Sequence, residues 1–399
     1  MDQICLNDSC CCKALFPNLN KKLYNRLGYI LINACVVITA ILFGVIGDEK
    51  KFGNESRFDV SMHAASFALT IFYLIIIILS LTGTNVAIPM NNGFWSLKVI
   101  IAEGFYFIVF TLFGQGFFKA YTKYSKYISL GYILYLTMIS VSFGHFLNVR
   151  LWSNVEALEN AGLSSAGWQG LLWTLTIIFF GSAIAFYIDI FETTWEARKA
   201  ASFLFPLFGC IFSIILSVMS ISPICERKKL LNSAYVSSFV AYLFWSGLVV
   251  NDKKYLNETK DFLDIVFGLT YVLAAVLFLA LTSKKLKLER QDDKEMALNP
   301  FLENDDGGEV DVTTQLTTDK SGVEHEVYLV TRSFFLFQGF LLFLSIYYSM
   351  LFTGWYTYKD DNDKGFGYYC KFFTAYACEA LYLWVIIAPR VCPDRTFDF

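Results

Sequence analysis

Apolar residues run along this chain in long unbroken blocks, without the strict alternation of a half-buried strand or the three-four spacing of an amphipathic helix. The blocks span Gly28–Ile46, Met62–Leu81, Trp95–Phe113, Tyr127–Leu147, Trp168–Ile188, Ala201–Ile221, Ser233–Val250, Phe262–Thr282, Ser333–Trp355 and Cys370–Ala388. A segment apolar on every side offers water no face. At about 1.5 Å rise per residue, roughly 20 such residues cross a hydrocarbon core of about 30 Å. Each block is therefore expected to be a membrane-spanning helix, because hydrocarbon supplies no partner for backbone N–H and C=O groups. A β-barrel would need alternating strands of about ten residues, and these blocks do not alternate. The expected fold is an all-α membrane protein of about ten transmembrane helices.

Composition sharpens this reading. Charged residues make up 17% of the 399, against about 25% in soluble domains, so a water-soluble assignment fails. The 40 Phe and 23 Tyr suit lipid-facing and interfacial surfaces. A net charge of −3 gives no basic field for nucleic acid. An even number of spans puts both termini on one side. Lys21, Lys22, Arg26, Arg227, Lys228, Lys229, Lys284, Lys285, Lys287 and Arg290 then fall on the cytosolic face, although Lys119, Lys123, Lys126, Lys253 and Lys254 weaken the bias. Two sequons, at Asn54 and Asn257, land on the opposite face and are glycosylation candidates. The ten cysteines are placed for few or no disulfides. Three of them, Cys10, Cys11 and Cys12, form a juxtamembrane run suited to reversible acylation, with incidental thiols as the plainer reading. The polar start and long first block do not have the form of a cleavable signal peptide.

The predicted organisation is a cytosolic Cys-rich segment over 1–27, helices one to eight over 28–282, a polar stretch over 283–330, helices nine and ten over 331–388, and a cytosolic tail over 389–399. The polar stretch opens basic and then turns acidic, from Asp292 to Asp311, which predicts a disordered tether. Asn299-Pro300-Phe301 amid these acids resembles a short trafficking signal, so partner proteins could dock there.

No enzyme signature is present: no phosphate-binding glycine loop, no nucleophile elbow and no metal-spaced Cys/His cluster. The three histidines, His63, His145 and His325, are far apart in sequence. Neither a catalytic set, a metal nor a cofactor is therefore expected. Ionisable residues inside spans carry more information, since a charge at the bilayer centre costs about 3 kcal/mol on insertion scales. Glu103 and Glu379 lie midway along the third and tenth blocks. Lys98 is five positions from Glu103, too far around a helix to share its face. Two readings of the glutamates stay open. Protonation or local hydrogen bonds neutralise them, or they line a hydrated path for a polar headgroup or a small amino acid. Pro206 should kink the sixth span. Gly114, Gly116, Gly144 and Gly181 should mark close helix contacts or soft points.

Four stretches together resemble the serine incorporator family of eukaryotic membrane proteins. They are Asn91-Asn92-Gly93-Phe94-Trp95-Ser96-Leu97-Lys98; Ser220-Ile221-Ser222-Pro223 through Leu231-Asn232-Ser233-Ala234-Tyr235-Val236 with Trp245-Ser246; Ser333-Phe334-Phe335 through Leu351-Phe352-Thr353-Gly354-Trp355-Tyr356; and Leu381-Tyr382-Leu383-Trp384 with Ala388-Pro389 and the closing Arg395-Thr396-Phe397-Asp398-Phe399. Departures are Asn91 in place of His, Ser142 in place of an acid, Gln338 near a position that is often His, and a short first lumenal loop without its Cys pair. Glu103 and Glu379 lie outside the family pattern. The resemblance implies two subdomains, one long tilted helix, and lipid held in clefts. It also implies assistance to serine entry into phosphatidylserine and sphingolipids, ATP-independent phospholipid scrambling, and antiviral activity.

The leading expectation is a non-enzymatic lipid-handling protein of endomembranes (ER or Golgi) or the plasma membrane. Membrane phospholipids, phosphatidylserine first, are the expected ligands, and self-association is left open. Asn92, Lys98, Glu103, Glu379 and Tyr382 are the candidate groove groups. The alternatives are a serine carrier or accessory to serine-lipid synthesis, and a scaffold acting through the acidic stretch.

Overall fold

A computed structural model describes residues 21–46, 56–81, 93–197, 200–222, 230–251, 258–282, 320–355 and 365–391. Ten helices account for almost all of them, and no strand occurs among them. They are α1 (Lys21–Val45), α2 (Arg57–Leu81), α3 (Trp95–Leu112), α4 (Gln115–Asn160), α5 (Ala166–Ala197), α6 (Ala200–Ile221), α7 (Leu230–Asn251), α8 (Glu258–Thr282), α9 (Lys320–Phe352) and α10 (Phe366–Val391). Each contains a stretch long and apolar enough to cross a bilayer. Large apolar side chains stand exposed along the helices, among them Leu112, Ile177, Phe208 and Trp384. So much open hydrocarbon would drive aggregation in water, and in a bilayer it is simply the lipid-facing surface. The protein is an all-α integral membrane protein.

Several element boundaries differ from those read in the sequence, among them the end of α5, which runs past Ile188 to Ala197. Helix α4 has 46 residues, about 69 Å, more than twice a bilayer core. Helix α1 starts at Lys21 rather than Gly28, and α9 starts at Lys320. The segment 320–330, expected to be disordered, is thus helical. Its helix-favouring Glu324 and Glu326, followed by Val327-Tyr328-Leu329-Val330, lead directly into the ninth span. The N-terminal cysteines, Asn54, Asn92, Asn257, the acidic run and the tail from residue 392 lie outside the described residues.

The chain forms two compact units, one of residues 1–118 and 277–349, the other of residues 119–276 and 350–399. In the first, α1, α2 and α3 pack on one another. The Ser61 hydroxyl of α2 donates to the Ala40 carbonyl of α1 (2.7 Å) and meets the Tyr106 hydroxyl of α3 (2.8 Å). Further along, Tyr73 of α2 meets Asn33 and the Tyr29 carbonyl of α1. Rising numbers on α2 therefore meet falling numbers on α1, and the two helices are antiparallel. The pairs Tyr29–Trp95 and Thr39–Glu103 make α1 and α3 parallel. Helix α9 runs antiparallel to α2 through His63–Ser349 (2.8 Å) and Ser66 donating to the Ser345 carbonyl (2.7 Å). Alternating directions of this kind are what successive membrane crossings require.

In the second unit α7 is the hub, buried almost throughout and packed by α5, α6 and α10. Its Ser238 joins Ser182 of α5 (2.6 Å) to Tyr271 of α8 (2.7 Å). Small residues set the closest approaches. The Phe244 ring lies where a Cβ on Gly209 of α6 would be, and the Asn232 side chain where one on Gly144 of α4 would be. Gly114, Gly116 and Gly181, in contrast, face open space and mark no helix contact. The sequence gives a glycine's position but not the side of the helix that is packed. Pro206 lies inside α6, which continues through it.

Candidate functional site

The ionisable groups within the spans form two separate sets, one in each unit. In the first unit, α3 begins after Phe94, whose positive φ of 59° turns the chain sharply and whose side chain supplies no cap. The ring of Trp95 then packs over Gly28 of α1, where a Cβ would collide with it, and edge-on to Tyr29 (centroids 5.0 Å, 75°). One turn later the Lys98 ammonium lies 3.9 Å from the Trp95 centroid and 4.8 Å from that of Tyr29. Lys98 is 4% exposed, and among the described residues no hydrogen-bond acceptor reaches its Nζ. Two ring faces stabilise a desolvated ammonium by about 2 kcal/mol, but they accept none of its three N–H bonds. A phosphate or carboxylate would.

Glu103 lies about 7.5 Å further along α3 and roughly 140° around it. The two residues do not pair. Thr39 of α1 donates to Glu103 Oε1 (3.1 Å), and Oε2 has no partner. Lys98 and Glu103 thus mark two depths along the α1–α3 contact.

In the second unit Glu379 of α10 is 1% exposed. Ser213 of α6 donates to its Oε1 (2.9 Å), and its buried Oε2 has no partner. Tyr382 lies one turn beyond, also buried. The four described groove candidates therefore divide two and two, and neither unit assembles all of them.

The same unit holds an ion-pair cluster that sequence reasoning missed. The Lys371 ammonium of α10 meets Asp264 Oδ2 (3.4 Å) and the Ser246 hydroxyl. The other carboxylate oxygen of Asp264 accepts from Tyr242 (3.0 Å) and Ser246. Beside it, Asp189 of α5 accepts from Trp245 Nε1 (2.6 Å) and Lys260 (2.9 Å). Asp264 and Lys371 lie near the starts of α8 and α10, where α7 ends. Opposite charges at matching depth were the available signal. Among the described residues no group of His, Cys, Asp and Glu is arranged to hold a metal ion.

A family model described as "Serine incorporator (Serinc)" matches residues 3–395. Similar proteins include a "Probable serine incorporator" of Nematostella vectensis, 24% identical over 97% of this chain and 88% of that protein. A "Serine incorporator 5" of Rattus norvegicus is 23% identical over 85% of this chain and 80% of its own length. A "Serine incorporator 3" of Bos taurus is 24% identical over the same shares of the two chains.

Proposed function

The chain belongs to the serine incorporator family, and on that premise we propose that it lets phospholipids exchange between leaflets without nucleotide hydrolysis. The observation that carries this reading is Lys98, a buried ammonium at the start of a span with aromatic walls and no anionic partner among the described residues. Its position one turn into α3, beside backbone amides that the first turn leaves unpaired, suits a phosphate group arriving at the membrane surface. Thr39 and Glu103 then supply polar contacts deeper along the same helix pair. A headgroup that keeps such contacts avoids part of the cost of crossing bare hydrocarbon. Phosphatidylserine is the lipid that the family name favours, which links the protein to serine-containing phospholipids and sphingolipids. The compartment is an endomembrane or the plasma membrane, with both termini cytosolic.

The test uses purified protein in liposomes carrying labelled phosphatidylserine or phosphatidylcholine in one leaflet. The reading expects exchange that Lys98→Met slows about tenfold, the effect of losing about 1.4 kcal/mol of headgroup stabilisation. An unchanged leaflet distribution with the native protein would sink it. Serine carriage is the second reading. The Asp264–Lys371–Ser246 cluster carries the two charges that would complement an amino acid, and serine would have to displace their mutual pairing to bind there. Saturable serine binding lost in Asp264→Asn would support that reading, and lipid exchange does not require it.

A further inference from the structure

We propose that Glu379 is a proton-binding site reached from one membrane face only, along a line of serine hydroxyls between α6 and α7. Glu379 lies about halfway along its span. No lysine, arginine or histidine pairs with it among the described residues. The titratable groups facing it are Tyr187 of α5, Cys210 of α6, and Tyr376 and Cys378 of α10 itself. From α7, Tyr235 approaches Cys378. None of these groups supplies positive charge. An ionised carboxylate in such surroundings keeps its full desolvation cost, whereas a protonated one does not. The carboxyl therefore carries its own countercharge as a proton, and Oε2, which has no partner, is the oxygen free to hold it.

The two directions away from this carboxyl differ in chemistry. Toward the ends of α6 and α10 and the start of α7 the seam is hydroxylated. Ser213 bonds Glu379. One turn on, Ser217 receives a hydrogen bond from Ser233 of α7 (2.8 Å) and lies 3.5 Å from the Ser237 hydroxyl. Ser220 continues the same face of α6. From Ser213 to Ser220 this line covers about 10 Å, roughly the remaining depth of the span.

In the opposite direction the seam is closed by rings. Phe244 packs against Phe372 (5.0 Å) and Tyr376 (5.3 Å), and Phe205 against Phe372 (6.3 Å). The Tyr376 hydroxyl donates to the Phe205 carbonyl (2.6 Å). Gly209 lets Phe244 seat fully against α6. A proton can pass between hydroxyls and water but not through packed aromatic carbon.

The test is labelling of the full-length protein in phosphatidylcholine liposomes with dicyclohexylcarbodiimide. This apolar reagent takes the proton of a COOH group onto its nitrogen while the carboxylate oxygen bonds its central carbon. The pH is set separately inside and outside, orientation is scored with a terminal tag, and adducts are located by peptide mass spectrometry. A Glu379 adduct is expected in native protein and absent in Glu379→Gln. Its yield should rise about tenfold when the α6–α7 connection side goes from about pH 9 to about pH 7, and stay flat when only the other side is acidified. Ser217→Leu, which plugs the line, should make the yield insensitive to pH on both sides. Failure of Glu379 to react at any pH, or a yield that follows the opposite side, would overturn the proposal. Lipid exchange is not read in this experiment, so its outcome is independent of the scrambling reading.

Discussion

Of the three lysines buried within the described spans, Lys98, Lys126 and Lys371, Lys98 of the first unit and Lys371 of the second are stabilised in opposite ways. Lys371 has a carboxylate, a hydroxyl and a backbone carbonyl around its ammonium. Lys98 has two aromatic faces and, among the described residues, no acceptor. The first arrangement is complete: every strong donor and acceptor is used, and the cluster ties α7, α8 and α10 together. The second is incomplete, because ring faces offset charge without accepting hydrogen bonds. A satisfied buried ion pair holds a fold together, whereas an unsatisfied cation near a membrane surface is a place for an anion. The two glutamates add to the contrast. Asp264 obtained the lysine, while Glu103 and Glu379 each have one oxygen bonded to a hydroxyl and one bare.

The strongest way to break this comparison is to strand Lys371. Asp264→Ala leaves an unpaired ammonium inside unit two and should cost about 3–5 kcal/mol. The readout is thermal unfolding in detergent, with a large fall in Tm or loss of the monodisperse peak. Replacing both partners, Asp264→Leu with Lys371→Met, should recover most of that loss, since apolar replacements of a buried pair are often neutral. If the double variant is as unstable as the single one, the pair is not a closed structural unit.

Lys98→Met should behave in the reverse manner. Removing a cation that has no acceptor should shift stability by no more than about 1 kcal/mol, while lipid exchange slows as predicted above. A Tm drop as large as that of Asp264→Ala would show that Lys98 is structural as well. Trp95→Leu removes one of the two ring faces and should have a smaller effect, about 1 kcal/mol, read as weaker binding of a short-chain phosphatidylserine. The smallest effect is expected from Thr39→Val, which removes the one hydroxyl on Glu103. Hydrogen bonds between transmembrane helices average about 0.6 kcal/mol, so Tm should barely move.

Some of this was visible along the chain. Glu103, Glu379 and Lys98 stood out because charge in an apolar block is conspicuous at any orientation. That Lys98 and Glu103 do not pair also followed from their five-residue separation. The Asp264–Lys371 cluster was not visible, because Lys371 lies one residue inside its block and its partner is 107 positions away. Nor was the serine line, because serines are ordinary in membrane helices and only Glu379 with an unpartnered oxygen gives them significance. Tyr382 was named for its position in a motif, and the structure places it one turn from Glu379.

The sequence by itself determined the solvent of this protein, the number of crossings, and the alternation of helix direction that follows from short connections. Those depend on how much apolar surface each block carries, which can be summed residue by residue. Tertiary structure alone decided which face of each block meets protein and which meets lipid. Helices α3 and α7 are similarly apolar, yet α3 is mostly open to lipid and α7 is almost wholly enclosed. In water an amphipathic stripe would reveal that difference. In a bilayer both surroundings are apolar, the stripe disappears, and the neighbours of Lys98, Lys371 and Glu379 are set only by how separate helices pack.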